Sequence, residues 1–164
     1  MSEKKKKYNL KVASKEDHCA EVAPLYHTST PLNMLMKMGG WDTHTRIENI
    51  RNGMEFFFFE GIKTDLNTTT KELADSLKIS VKTIDRRKSK KEHLSSIESE
   101  KLLRLSQIAN KAIAVFEDAE YAKKWLKEKN LHLNNNTPLS MCDTEPGGNE
   151  VTELLGRIEY GVFA

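Results

Sequence analysis

The stretch 70-TKELADSLKISVKTIDRRKSKK-91 gathers the side chains best able to do chemistry. From 78 to 91 it carries Lys78, Lys82, Arg86, Arg87, Lys88, Lys90 and Lys91, with Asp85 as the one acid. Cations at this density grip phosphate oxygens, and a guanidinium reads a guanine edge through two parallel hydrogen bonds. The apolar spacing says how they are presented. Leu73, Ala74 and Leu77 line one face of a helix, Ile79 turns inward after Lys78, and Val81 and Ile84 line the next helix. Small Ala74 lets the two helices approach closely, so the pattern is that of a helix-turn-helix. The turn position often filled by glycine holds Lys78. Ser80, Lys82 and Thr83 then face a DNA groove, while Arg86, Arg87 and Lys88 serve base edges or phosphates. The expected target is operator DNA, bound by a homodimer. The plainer alternative is a solvated basic helix end whose charges answer the helix dipole.

A second candidate closes the sequence, 156-GRIEYGVFA-164. Termini are usually polar and frayed, yet Ile158, Tyr160, Val162 and Phe163 fall here and no charged side chain follows Glu159. Either this tip folds back onto Trp125 and Leu139, or it enters another molecule. Gly161 permits the chain to leave a helix. In the second reading Tyr160 and Phe163 are anchors, because aromatic rings supply large contact area at low entropy cost. Arg157 and Glu159 make charged contacts at the rim, and the carboxylate of Ala164 suits a basic pocket.

No catalytic set accompanies these features. His18, His27, His44, His93 and His132 are scattered, without an i, i+4 pair beside a carboxylate on a helix. No G-x-S-x-G, P-loop or G-x-G-x-x-G occurs, and Gly147-Gly148 reads as a turn. An enzyme is not expected, nor a cofactor, nor a metal. Cys19 and Cys142 lack C-x-x-C spacing and read as ordinary thiols of a reducing compartment.

The elements that must position these groups are helices, since i, i+3, i+4 spacings recur and strict alternation is absent. Asp42 or Thr43 caps a helix through Asn52, and another runs from Glu55 to Leu66. Thr68 or Thr69 caps a third through Leu77, and Ser80 a fourth to about Lys88. Ser95 or Ser96, with Glu98 and Glu100 behind it, opens a long helix to Phe116 with the stripe Leu102, Leu105, Ile108, Ala109 and Ala112. Asp118 caps a helix to Lys129, a loop covers 130–138, and Gly148 or Asn149 starts the last helix. Four consecutive rings, Phe56 to Phe59, point around most of a helix at about 100° per residue. They predict either a helix buried on two sides or a ring that meets a second copy. The fold class is all-α.

Charge is balanced overall, 26 Lys and Arg against 24 Asp and Glu, so any partner is recognised by local patches. Residues 116–164 turn acidic: Glu117, Asp118, Glu120, Glu128, Asp143, Glu145, Glu150, Glu153 and Glu159 against Lys123, Lys124, Lys127, Lys129 and Arg157. No run of about 18 apolar residues exists to span a membrane. The run Lys4 to Lys7 has no apolar segment behind it, so a cytoplasmic location is expected. Residues 1–40 read as an extension that is flexible or ordered by a partner, without regular structure. Met34, Met36 and Met38 alternate within it, as a short strand or a packing surface would.

The motifs 83-TIDRRK-88, 95-SSIESEKLLRL-105, 115-VFEDAEYAKKWL-126, 137-TPLSMCDTEPG-147 and 151-VTELLGRIEYGVFA-164 together resemble one family. They resemble the Xre-type antitoxins of RES–Xre toxin–antitoxin modules, whose C-terminal toxin-binding domain is shared with ParS-like antitoxins. The resemblance runs from about Arg46 to the C-terminus. It departs at Glu117, where the family often has glycine, and at 134-NNN-136, which replaces a glycine pair. It implies a helix-turn-helix domain over 41–94 and a small helical toxin-binding domain over 95–164. It further implies a homodimer that binds a RES-domain toxin, an enzyme degrading cellular NAD, and that represses a shared operon. The C-terminal segment would cover the toxin's active site, with Trp125, Pro138, Leu139, Arg157, Glu159, Tyr160, Phe163 and Ala164 as the toxin-binding set. The competing expectation is a dimeric regulator whose C-terminal half senses a small ligand in an apolar pocket.

Overall fold

The longest apolar stripe builds the centre of the molecule. A computed structural model describes residues 33–161, and in it Ser96–Phe116 forms α6. Before it come α1 (Asn33–Gly39), α2 (Thr43–Asn52), α3 (Phe56–Asp65), α4 (Thr70–Ser76) and α5 (Val81–Lys90). After it come α7 (Ala119–Lys127), a 3-10 turn at Leu131–Leu133, α8 (Pro138–Met141) and α9 (Glu145–Glu159). Among the described residues there is no strand, only one isolated bridge between Asn130 and Asn136. Helices α1, α2, α7 and α9 all pack on α6. Leu102, Leu105, Ala109 and Ala112 are fully buried along it. Its buried hydroxyls are satisfied: Ser99 Oγ accepts from the Met54 N–H at 2.8 Å, and Ser106 Oγ donates to the Leu103 carbonyl at 2.7 Å.

The caps sit where hydroxyl and carboxylate side chains precede apolar periodicity. Asp42 accepts from the Thr45 N–H at 2.7 Å, and Asp118 from the N–H groups of Glu120 and Tyr121. Thr69 with Glu72, and Ser95 with Glu98, form reciprocal capping boxes. Two starts differ from expectation. Helix α9 begins at Glu145, capped by Thr144, with a proline in its first turn, where a missing N–H costs no bond. Gly147 and Gly148 therefore lie inside the helix, and close packing explains them. A Cβ on Gly147 would meet the Met141 carbonyl oxygen at 2.3 Å, and one on Gly148 would meet Arg104 Cδ at 2.6 Å.

The second difference is α1, in a segment expected to lack regular structure. Seven residues form too few internal bonds to hold a helix alone. Asp65, at the end of α3, supplies what the local sequence does not. Its Oδ2 accepts from the N–H groups of Met34 at 2.7 Å and Leu35 at 2.8 Å. Asn110 Nδ2 donates to the Leu35 carbonyl at 2.7 Å, and Leu35 and Met38 are fully buried. The alternating methionines are thus helical, with Met36 the exposed one. In the phenylalanine run Phe58 and Phe59 are buried, Phe56 stacks on Phe59, and Phe57 stays partly exposed near Lys37 Nζ, the one ring of the four still open to a second copy.

In the helix-turn-helix, Leu73, Ala74, Leu77 and Ile84 are fully buried, and the Ile79 N–H donates to the Ala74 carbonyl at 2.9 Å. Lys78 adopts φ +52°, the left-handed conformation that explains the frequent glycine at this position. Lys78→Gly is expected to raise stability by about 1 kcal/mol in urea unfolding. Asp65→Ala, which strips two α1 N–H groups of their acceptor, should cost about 2 kcal/mol, and Asp65→Asn much less. Burial raises the Asp65 pKa above 3.8, against the pull of the Leu35 and Met34 hydrogen bonds and of Lys123. Its protonated form is the one favoured by folding, so its titration contributes stability below 3.8 that is lost as pH rises through the raised value. Stability relative to Asp65→Asn should therefore decline as pH climbs from about 4, checked by paired unfolding curves.

Candidate functional site

The basic surface is assembled by α5 and the two turns that bracket it. Ser80 caps α5, its Oγ accepting from the Thr83 N–H at 3.1 Å and lying 2.8 Å from Thr83 Oγ1. Both hydroxyls thus fix the helix start while remaining at the surface. Lys82 is exposed and carries no ion pair among the described residues. The same holds for Lys78, Lys90 and Lys91, which frame the helix at either end. Lys91 is left-handed like Lys78, with φ +53°. Arg86 is half exposed and touches Glu92 only loosely, at 3.8 Å. Lys88 is exposed and 3.3 Å from Glu60.

Arg87 stands apart from this set. Its side chain is 14% exposed, its Nη1 donates to the His93 carbonyl at 2.5 Å, and its Nε lies 2.8 Å from Glu98 Oε2. That last contact is one of charge, off the N–H direction. Glu98 Oε2 also accepts from the Ser95 N–H at 2.7 Å, so Arg87 ties α5 to the capping box of α6. Expected from the basic run to serve base edges or phosphates, Arg87 is engaged within the chain, bracing the helix that presents the others. Lys101 does similar work on α4, donating to the Leu77 carbonyl at 2.9 Å. Lys78, Lys90 and Lys91 are exposed beside the expected basic residues; the turn at Lys78 was visible in the sequence, but α5 runs to Lys90, past the expected end near Lys88, and so places Lys90 and Lys91 at its C-terminus.

The second surface lies at the end of α9. Tyr160 caps the helix and is 78% exposed, and Gly161 follows at φ +65° with open space where a Cβ would stand. Arg157 and Glu159 are exposed beside it. Phe163 and Ala164 lie outside the described residues. Trp125, Pro138 and Leu139, also expected to contact a partner, are buried inside the chain. Trp125 packs against Phe116 at a centroid distance of 5.3 Å, and α8, which carries Pro138 and Leu139, packs on both α7 and α9. The two departures from the family pattern fall on left-handed backbone: Glu117 at φ +53°, Asn134 at φ +52° and Asn135 at φ +60°. Asparagine tolerates that conformation best after glycine, so the loop keeps a glycine-type geometry.

A hollow of about 550 Å³ opens between α2, α6 and α9. Arg46, Arg104 and Lys111 stand on its walls. Arg104 donates to the Cys142 carbonyl at 3.1 Å and Lys111 to the Thr152 carbonyl at 3.1 Å, so these cations tie α6 to the C-terminal helices. Ile47, Ile50, Leu103 and Ile108 also line it, and because α2 supplies one wall it is not a pocket within the C-terminal half, where a ligand-sensing regulator was expected to have one. Cys142 is buried, its thiol pushed up to about 12 by desolvation. Cys19 lies outside the described residues. No group of three or more His, Cys, Asp or Glu gathers at a metal-holding distance among the described residues.

The different surroundings of adjacent arginines give a separable outcome. Arg87→Ala should lower stability by about 1–3 kcal/mol in urea unfolding, because Glu98 loses its cation at a largely desolvated site. Arg86→Ala should stay within about 0.5 kcal/mol of the parent. In a mobility shift on the chain's own upstream DNA, Arg86→Ala should weaken binding while its fold is intact.

Comparison with known proteins follows the same division of the chain. Residues 45–106 match the antitoxin Xre-like helix-turn-helix domain, and residues 111–161 match the antitoxin Xre/MbcA/ParS C-terminal toxin-binding domain. An antitoxin Xre of Photorhabdus laumondii is 34% identical over 87 residues, 52% of this chain and 59% of that protein. The chain thus spans under two thirds of that relative. An antitoxin Xre of Yersinia enterocolitica is 26% identical over 119 residues, 72% of this chain and 80% of that protein. A protein named Prs ADP-ribosylating antitoxin, from a Sphingobium species, is 23% identical over 128 residues, 73% of this chain and 80% of that protein. With both domains matched in order, and each on helices of the expected kind, the chain belongs among the Xre-type antitoxins that carry a C-terminal toxin-binding domain.

Proposed function

We propose that this chain is the antitoxin of a type II pair, holding a RES-domain toxin through its C-terminal segment and repressing its own operon through α4 and α5. One observation carries the reading. The last helix ends in an aromatic residue that is 78% exposed, at a left-handed glycine, with the chain continuing beyond it. A tip folded onto its own core would hide Tyr160, since burial of a large ring is favourable wherever a surface is on offer. An exposed ring at a rigid helix end is instead suited to a partner's pocket. Buried Pro138 and Leu139 lie on α8, which packs against this helix, and Trp125 lies on α7 behind α8, while Arg157, Glu159, Tyr160, Phe163 and Ala164 meet the toxin.

The basic surface supports the second activity. Exposed Lys78, Lys82, Arg86, Lys90 and Lys91 present cations on and around α5 for phosphates, with Ser80 and Thr83 at the helix start where base edges are read. A homodimer supplies two such helices to a two-fold operator. The protein acts in the cytoplasm, where both the duplex and the toxin's substrate are found. The toxin consumes NAD; the name of the Sphingobium relative points to ADP-ribosyl transfer as one route, and hydrolysis is the other.

The test uses the toxin encoded beside this gene. Co-expression of the full chain should restore growth and cellular NAD, whereas a chain lacking Gly161 to Ala164 should leave the toxin active. Labelled ADP-ribose recovered on protein would identify transfer, and its absence with falling NAD would identify hydrolysis. Full neutralisation by the shortened chain would remove the C-terminal plug from the account.

A further inference from the structure

Glycine inside a helix is disfavoured relative to alanine, so each one calls for a reason. Gly61, Gly147 and Gly148 have theirs, because an added Cβ would meet a neighbour at 2.7, 2.3 and 2.6 Å respectively. Gly156 has none within the described chain. It sits in α9, its carbonyl accepts the Tyr160 N–H at 3.1 Å, and a Cβ there would meet nothing within 4 Å. Its φ is not in the left-handed region, so backbone conformation does not demand glycine either. At about 100° per residue, Asn149, Glu153, Gly156 and Tyr160 fall in one stripe on the outer face of α9. Val151, Leu154 and Leu155 occupy the buried face. Glu153, Gly156, Arg157 and Tyr160 bound a surface hollow of about 490 Å³.

We propose that Gly156 is a contact point for the toxin, where an element of the partner crosses α9 against its bare backbone, with Tyr160 anchoring one side of the crossing. This rests on the toxin-binding reading and deepens it, since it adds a helix face to the C-terminal tip. The fit is one of shape: a missing side chain beside an exposed ring makes a notch that admits a partner's backbone or a projecting side chain. Charge describes the partner further. Glu153 and Glu159 stand against one base, Arg157, so the patch is net negative and the facing element carries a cation at its rim. The notch also excludes wrong partners, because a toxin without a matching protrusion leaves the hollow unfilled.

Free stability and binding should move in opposite directions. Gly156→Ala in the full chain should raise the melting temperature by about 2–4 °C, through helix propensity alone. It should weaken binding of the purified cognate toxin roughly tenfold, and Gly156→Leu roughly a hundredfold or more, by calorimetry or surface binding. Both variants should shift upstream DNA as the parent does. If both bind toxin like the parent while Tyr160→Ala and the chain lacking 161–164 lose it, the Gly156 contact is overturned and the toxin-binding reading stands. If the parent chain itself binds no toxin, both are overturned.

Discussion

The structure depends on burying one helix from several sides. Helix α6 lies against α1, α2, α7 and α9, and its Leu102, Leu105, Ala109 and Ala112 have no exposed surface. A fully buried leucine contributes on the order of 2 kcal/mol, so this row outweighs any surface ion pair in the molecule. Ala109 and Ala112 supply no bulk, and that is their use, since neighbours come close over them. The polar atoms on the same helix are turned to account: Ser99 holds the N–H of Met54, and Asn110 holds the carbonyl of Leu35. Each hydrogen bond attaches a sequence-distant segment to α6.

The position of α6 changes what a domain boundary means here. The helix-turn-helix match ends at 106 and the toxin-binding match begins at 111, both inside this continuous helix. A cut near 94, where a loop precedes the caps, is natural on the sequence, but no flexible linker separates the matched segments. At 1.5 Å per residue, the 21 residues of α6 make a strut about 30 Å long. Its N-terminal capping box is braced to α5 through Arg87, and farther along it holds the end of α8 through Arg104 and α9 through Lys111. The basic and aromatic surfaces are therefore held at a fixed spacing by a single rod.

What the sequence made legible follows the range of the forces involved. Caps at Asp42, Thr69, Ser80, Ser95 and Asp118 are local, decided by a side-chain oxygen within three residues of the amides it satisfies. The turn between α4 and α5 was readable for the same reason. Helix α1 was not, because Asp65 caps it from some thirty residues away. The start of α9 was misread because Gly147-Gly148 carries the composition of a turn and the role of a close helix contact. Trp125 and Leu139 show the limit for sites: amphipathic spacing marks a residue as apolar-facing without saying whether the facing surface is its own chain or a partner. Arg87 is the charged counterpart. Contacts with the His93 carbonyl and with Glu98, six and eleven positions on, separate it from Arg86 in role.

The backbone strain around α5 has a consistent sense. Lys78 and Lys91, on either side of the helix, both adopt left-handed conformations at φ +52° and +53°. Glycine would hold either position at lower cost, by about 1 kcal/mol each. Ile79 and Leu94, just beyond, are buried, so the chain has no freedom to relax these turns by moving outward. Keeping lysine there places two more positive charges beside a helix that already carries Lys82, Arg86 and Lys90. Intramolecular packing gains nothing from them, since neither forms an ion pair among the described residues. Strain retained without an internal ion pair to offset it fits the proposed contact with DNA on that face, where each added cation would strengthen attachment through counterion release. On the proposed reading, backbone ease is given up where charge meets the duplex, and the same logic applied to α9 accounts for a bare glycine where a partner's shape must be met.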